Sequence, residues 1–351
     1  MATSLPTGVL IINLGSPDST SVADVRRYLR QFLMDGRVID IPSLARWFLV
    51  HAIILPTRPK RSAHAYKKIW TEQGSPLLVE GRNLVKGLQQ ELGSSYVVEL
   101  AMRYGRPSMD QALENLIAKS CERIIVFPLY PQYASASTGS IYEELMRIIQ
   151  GRWNMPAINF VGDFYEDPRF IDAFVSIAQP QLTKFQADHV LFSYHGLPVR
   201  HLQKSDPTGQ HCVQPQFNCC DAINAQNRFC YRAQCMATTR ALVRGLRLQP
   251  DQHSVSFQSR LGRAEWVKPY TDEVMPELAS KGYKRLAVMC PAFVADCLET
   301  LEEIGMEGRK QWLECGGEDF HLITSLNAET IWVKNLAAMV EERIPRISSG
   351  M

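Results

Sequence analysis

The feature that most constrains this chain is an alternation, sustained along nearly its whole length, of short Val/Ile/Leu-rich runs with longer amphipathic stretches. Short apolar runs without polar alternation suit strands buried on both faces, and longer stretches with a 3.6-residue period suit the helices that cover them. Strands are expected at 8–13, 97–102, 123–127 and 158–161 in the first half, and at 190–194, 254–258, 285–290 and 321–323 in the second. Helices are expected at 22–33, 78–92, 109–118, 140–150, 168–185, 271–280 and 328–342, with Pro168 suited to a first turn, where no backbone N–H is needed. The pattern predicts an α/β fold with parallel sheets.

The two halves echo each other. Val9-Leu-Ile-Ile-Asn-Leu-Gly15-Ser-Pro17 runs beside Val190-Leu-Phe-Ser-Tyr-His-Gly196-Leu-Pro198, each a strand followed by Gly-x-Pro. Arg123–Pro128 likewise matches 285–291, each an apolar strand stopped by proline. Two similar Rossmann-like doubly wound domains with a cleft between them are therefore expected. Gly151, Trp153, Asn154 and Pro156 break the helical pattern, which sets the units at 1–155 and 156–325, with 326–351 a C-terminal helix returning to the first unit. Ligands of open parallel sheets collect at the carboxyl ends of strands. The residues there are Asn13, Arg103-Tyr104, Tyr130-Pro-Gln-Tyr133, His195-Gly196 and Pro291-Ala-Phe293.

Composition removes several function classes. Lys plus Arg (38) barely exceed Asp plus Glu (36), and no basic stripe stands out, so a nucleic-acid partner is not expected. No Lys or Arg precedes the first apolar run, which disfavours a secretory signal and points to the cytoplasm. The apolar segment 47–55 is far shorter than the roughly 20 residues of a spanning helix, so it could lie on a bilayer but not cross one. Neither G-x-G-x-x-G after the first strand, nor a phosphate loop, nor a Gly-x-Ser-x-Gly elbow is present.

His195 stands at a strand end directly before a glycine, where an imidazole can accept a proton or hold a transition metal. Asp296, Glu299, Glu303 and Glu307 follow another strand end at spacings of three, four and four, a carboxylate row on one helix face. Such a row is as often a solvated face; beside a cleft it could pass a dication inward and protons outward.

These residues sit in segments that together resemble the bacterial ferrochelatases over nearly the whole chain: Gly74-Ser-Pro-Leu77, Met102-Arg-Tyr104, Pro128-Leu-Tyr-Pro-Gln-Tyr133, Ser193-Tyr-His-Gly-Leu-Pro198, Gln258-Ser-Arg-Leu-Gly262, Trp266 with Pro269, and Cys290-Pro-Ala-Phe-Val-Ala-Asp-Cys-Leu-Glu-Thr-Leu301. The resemblance implies a class II chelatase-like fold and insertion of Fe2+ into protoporphyrin IX with release of two protons, the final step of haem formation. Coproporphyrin III as substrate, and a non-catalytic tetrapyrrole or iron carrier, stay open. It implies that His195 is the active-site histidine and Glu299 the essential glutamate, both handling Fe2+. Asp296, Glu303 and Glu307 would continue an acidic conduit, while Asn13, Arg103, Tyr104, Tyr130, Trp266 and Phe293 would line the porphyrin pocket. Segment 47–55 would form an apolar lip touching the inner face of the cytoplasmic membrane. Monomer and homodimer are both compatible with the sequence.

Where plain members of that family have a short connection, an insertion spans about 205–236. Five of the nine cysteines crowd there, as C-x6-C-C-x9-C-x4-C: Cys212, Cys219, Cys220, Cys230 and Cys235. In a reducing compartment such crowding points to a metal site before disulfides. Four thiolates could hold a [2Fe–2S] cluster or zinc, and a reduced thiol patch is the plain alternative. Resemblance to cluster-bearing ferrochelatases favours the cluster, on Cys212, Cys219 or Cys220, Cys230 and Cys235.

Overall fold

The apolar runs sort into two four-stranded parallel sheets in a computed structural model of the chain, which describes residues 5–212, 218–260, 262 and 264–343. The first half supplies β1 (Thr7–Ser16), α1 (Val22–Leu33), α2 (Ser43–Phe48), a π-helical turn (Leu49–Ile54), α3 (Leu55–Ile69) and α4 (Pro76–Leu92). It continues through β2 (Tyr96–Gly105), α5 (Met109–Ala118), β3 (Arg123–Pro128), α6 (Ser140–Ile149) and β4 (Ala157–Phe160). Helix α7 (Pro168–Phe185) then crosses to β5 (His189–His195), followed by α8 (Val199–Lys204), α9 (Tyr231–Leu246), β6 (His253–Gln258) and α10 (Thr271–Ser280). Last come β7 (Arg285–Met289), a π-helix (Glu299–Gly308), α11 (Arg309–Glu314), β8 (Asp319–Leu322) and α12 (Thr330–Glu342).

The sheets run β2-β1-β3-β4 and β6-β5-β7-β8, the same order twice, so the echo in sequence is a repeat in topology. Alternation along β1 shows why it must be apolar throughout. Val9 and Ile11 enter one core while Leu10 and Ile12 enter another, because successive side chains point to opposite faces. The first of these cores also contains Phe192 and Phe257 of the second sheet, which locks the units together. Trp332 of α12 is fully buried there against Phe164 and Phe170, and Val333 meets α4 at Gly87.

One expectation needs correction. β4 pairs with β3, so the first unit extends past residue 155; the break at 151–156 is an ordinary helix-to-strand loop, and the join falls between β4 and α7. The lip is helical, running without interruption from Ser43 to Ile69. Pro56 and Pro59 therefore lie inside a continuous helical run, where each removes one backbone donor. Residues 213–217 of the cysteine insertion, Leu261 of the Gln258–Gly262 segment and 344–351 lie outside the described residues.

Candidate active site

His195 closes β5 in register with Gln258 at the end of β6. Its Nδ1 lies 2.6 Å from the Gly196 carbonyl oxygen. A carbonyl can only accept, so Nδ1 carries the proton and Nε2 of the neutral ring is left with its lone pair. Gly196 is required: a Cβ there would meet the Gln258 carbonyl oxygen at 2.8 Å and the Trp266 ring at 3.2 Å. The imidazole is half-buried between Trp266 and Phe293, with ring centroids 6.5 and 6.3 Å away.

Gln258 ties this strand end to the acidic helix. Its backbone carbonyl accepts from Gly196 N–H (2.8 Å), its Nε2 donates to the Glu299 carbonyl (2.9 Å), and its Oε1 accepts from Ser193 (2.8 Å). The acidic segment is a π-helix, closed by i→i+5 bonds, in which residues four apart still share a side. Burial raises the Glu303 carboxyl above the usual range against the lowering effects of the Ser259 hydroxyl and of His195, while the Glu299 charge raises it further. Glu303 therefore senses His195 and Glu299 together.

The other two members of the row do different work. Asp296 is buried and its carboxylate accepts from Thr300 (3.0 Å) and Asn327 (2.8 Å), which anchors the entry to the π-helix. Glu307 is exposed and pairs with Lys68 of α3 at 2.6 Å; the same ammonium holds Glu302 at 2.8 Å. Lys68 thus bridges the two units.

The first unit contributes a wall that packs against the start of the acidic helix. Asp35, 6% exposed, accepts from Arg103 Nη2 (2.7 Å), the Tyr104 hydroxyl (2.8 Å), the Arg37 backbone N–H (2.7 Å) and Ser140. Burial opposes ionisation of Asp35, but these hydrogen bonds and the Arg103 charge outweigh it and hold the carboxyl below its usual range. Arg103 also donates from Nε to Ser140 Oγ at 2.7 Å, and its guanidinium lies over the Tyr104 ring. Tyr104 is fully buried, so it supports Arg103 from behind. Asn13 is buried as well and caps its own turn, its Oδ1 accepting from Leu14 N–H at 2.8 Å. The Tyr130 hydroxyl, by contrast, has no protein partner, and burial and neighbouring charges including Glu299 push its pKa well up. Over this wall the lip packs Val38, Ile39 and Ile54 into one cluster with Tyr104, Leu298 and Leu301, while Leu44, Trp47, Phe48 and Ile53 point to solvent.

The cysteines do gather. Cys230 raises the Cys220 thiol and lowers Cys212, and Cys212 together with burial lifts Cys230 to about 11. Cys219 Sγ lies 3.9 Å from Cys220 Sγ, and the buried Arg232 guanidinium faces Cys220 and Cys235. Cys235 sits deeper, fully buried beside Tyr231 and Tyr194. The donor set and the compensating cation suit an anionic thiolate centre, but among the described residues no group of three or more His, Cys, Asp or Glu is arranged to hold a metal ion. Sequence reading missed Asp35, Ser140 and Lys68, which stand in no quoted motif, and named Gln258 only as the start of a segment without giving it a role.

Two parallel units with chemistry at their facing strand ends define the fold of the chelatases. SirB from Bacillus subtilis with Fe3+ superposes with a TM-score of 0.54 at 13% identity, covering 96% of this chain and 95% of that one. The sirohydrochlorin chelatase SirB from the subspecies spizizenii, in complex with cobalt, gives 0.53 at 12%, with the same coverage. Sequence is more specific. The ferrochelatase family profile matches residues 6–344. Ferrochelatases of Coxiella burnetii (strain CbuK_Q154; 48% identical, 96% of this chain and 94% of that protein), Legionella pneumophila (strain Paris; 47%, 96% and 99%) and Pseudomonas fluorescens (strain Pf0-1; 48%, 95% and 97%) are among its relatives. The chain belongs to the ferrochelatase family and is a metal-chelating lyase.

Proposed function

We propose that this enzyme inserts Fe2+ into protoporphyrin IX, with His195 and the acidic helix handling the metal and the two departing pyrrole protons. The observation that carries the reading is that Gln258 joins the His195 strand end to the backbone of Glu299, while Trp266 and Phe293 flank the imidazole. A porphyrin must be bent to expose its nitrogen lone pairs and must lose two N–H protons as one Fe2+ enters. His195 Nε2 is unprotonated in the neutral ring and can accept one proton; Glu303, with its raised carboxyl, can pass protons toward Glu299 and solvent. Imidazole and carboxylate hold ferrous iron loosely enough to surrender it to four ring nitrogens. Arg103, Tyr130, Trp266 and Phe293 grip the macrocycle, and Tyr104 and Asn13 support the wall.

Protoporphyrin is favoured over coproporphyrin III because the cation of this wall, Arg103, is already neutralised by Asp35. The test is anaerobic turnover with each porphyrin and Fe2+, followed by loss of porphyrin fluorescence. Catalytic loss with protoporphyrin supports the reading, whereas stoichiometric quenching without turnover would make the protein a carrier.

Two finer assignments belong here. Four of the five insertion cysteines bind a [2Fe–2S] cluster: Cys212, Cys219 or Cys220, Cys230 and Cys235. A brown protein that bleaches on reduction supports this, and a colourless one with stoichiometric zinc contradicts it. No described helix is long and apolar enough to cross a membrane. The exposed Leu44, Trp47, Phe48 and Ile53 instead suit peripheral contact with a bilayer, where porphyrin partitions. Trp47→Ser with Phe48→Ser should then reduce co-sedimentation with phospholipid vesicles.

A further inference from the structure

One carboxylate of the lip is held by two cations of the other unit, with a histidine beside them. Asp40, 11% exposed, contacts Arg200 through Oδ1 at 2.5 Å and Lys204 through Oδ2 at 2.7 Å, and His201 Nε2 lies 3.1 Å from its Oδ1. Burial disfavours the Asp40 charge, yet hydrogen bonds from Arg200 and Lys204 hold its carboxyl far below the ordinary range. Both sides are braced. Arg46 donates to the carbonyls of Ile39 (3.1 Å) and Ile41 (3.0 Å), fixing the backbone on either side of Asp40. Helix α8, which carries the cations, starts from Pro198, bridged to Trp266, and Val199 N–H donates to Glu265 (2.9 Å). The cradle is therefore rigidly joined to the wall beside His195, and the carboxylate to the lip that covers it.

We propose that the Arg200–His201–Lys204 cradle is a binding site for a propionate of the porphyrin, and that Asp40 occupies it as an internal substitute when no substrate is bound. This rests on the porphyrin reading above. Its logic is exchange of like for like. A cradle built for one carboxylate accepts another without leaving a cation stranded, so opening the lip loses no ion pair once a propionate replaces Asp40. Arg200 and Lys204 keep 41% and 64% of their side-chain surface exposed, so an incoming anion can reach them before Asp40 leaves. The exchange would couple arrival of a carboxylated tetrapyrrole to release of the lip, and would ignore a porphyrin lacking carboxylates.

The test is a metal-free binding titration of the full-length protein, read by porphyrin fluorescence, with protoporphyrin IX and its dimethyl ester. Arg200→Ala with Lys204→Ala should weaken the diacid roughly 3- to 10-fold and leave the ester unchanged. Asp40→Asn, which frees the cradle, should tighten the diacid by about 2- to 5-fold and leave the ester unchanged. Equal effects on both ligands, or weaker diacid binding in Asp40→Asn, would overturn the exchange and show a purely structural latch. Failure of the parent protein to bind either porphyrin would instead defeat the underlying functional reading, and the exchange with it.

Discussion

Removing the Asp35 carboxylate should cost more than any other single polar change in the wall of the first unit. Asp35 and the Arg103 side chain are 6% and 12% exposed, and the carboxylate accepts from four donors. Asp35→Ala strands the Arg103 guanidinium in a site that keeps little water, and breaking such a pair costs about 3–5 kcal/mol. Arg103 retains its Nε bonds to Ser140, which argues for the lower end of that range. The assay is urea unfolding of the parent, Asp35→Ala, Arg103→Ala and the double variant. The double should be less destabilised than the sum of the singles by at least about 1.5 kcal/mol, because each single leaves an unpaired charge and the double leaves none. Its pH dependence has a definite sign. The Asp35 carboxyl is depressed on folding, so its contribution is complete above the ordinary carboxylate pKa and is lost as pH falls through the lower folded value. Additivity within about 0.5 kcal/mol would refute the network.

Other outcomes follow from the same geometry. Gly15→Ala should yield little folded protein, because φ is +119° and the new Cβ would lie 1.7 Å from the Tyr104 carbonyl oxygen, an overlap expected to cost more than about 4 kcal/mol; soluble yield and thermal melting check it. Burial lowers the His189 pKa to about 4, so the neutral ring stabilises the fold above its unfolded pKa of about 6.5 and stability falls as pH drops from there toward 4; His189→Gln should flatten that part of the pH–stability curve. Cys220→Ser should remove visible absorbance if the insertion carries a cluster, with porphyrin insertion assayed alongside. His195→Ala should abolish turnover while leaving the circular dichroism spectrum and melting temperature close to those of the parent.

Most of the architecture was legible because doubly buried strands leave little freedom in composition. Each expected strand formed within a few residues of its predicted ends, and helices 22–33, 109–118, 168–185 and 271–280 did so at the residues expected. The lip segment was read only as an apolar stretch too short to cross a bilayer, and its helical run from Ser43 to Ile69 came from the structure. The π-helix was invisible for a different reason: a spacing of four keeps carboxylates on one side of either kind of helix. Sequence also could not sort the acidic row, since the difference between Glu303 beside His195, Asp296 bonded to Asn327 and Glu307 paired with Lys68 lies in tertiary partners. Asp35 and Asp40 escaped notice because a lone aspartate in a loop is ordinary until four donors, or two cations and a histidine, are folded around it.

The account turns on where the macrocycle sits. A crystal structure of the enzyme with metal-free protoporphyrin IX should place the ring against Trp266 and Phe293, with His195 Nε2 within hydrogen-bond reach of a pyrrole nitrogen and Glu303 behind the imidazole. A porphyrin bound elsewhere, or one whose nitrogens lie beyond the reach of both His195 and the acidic helix, would contradict it.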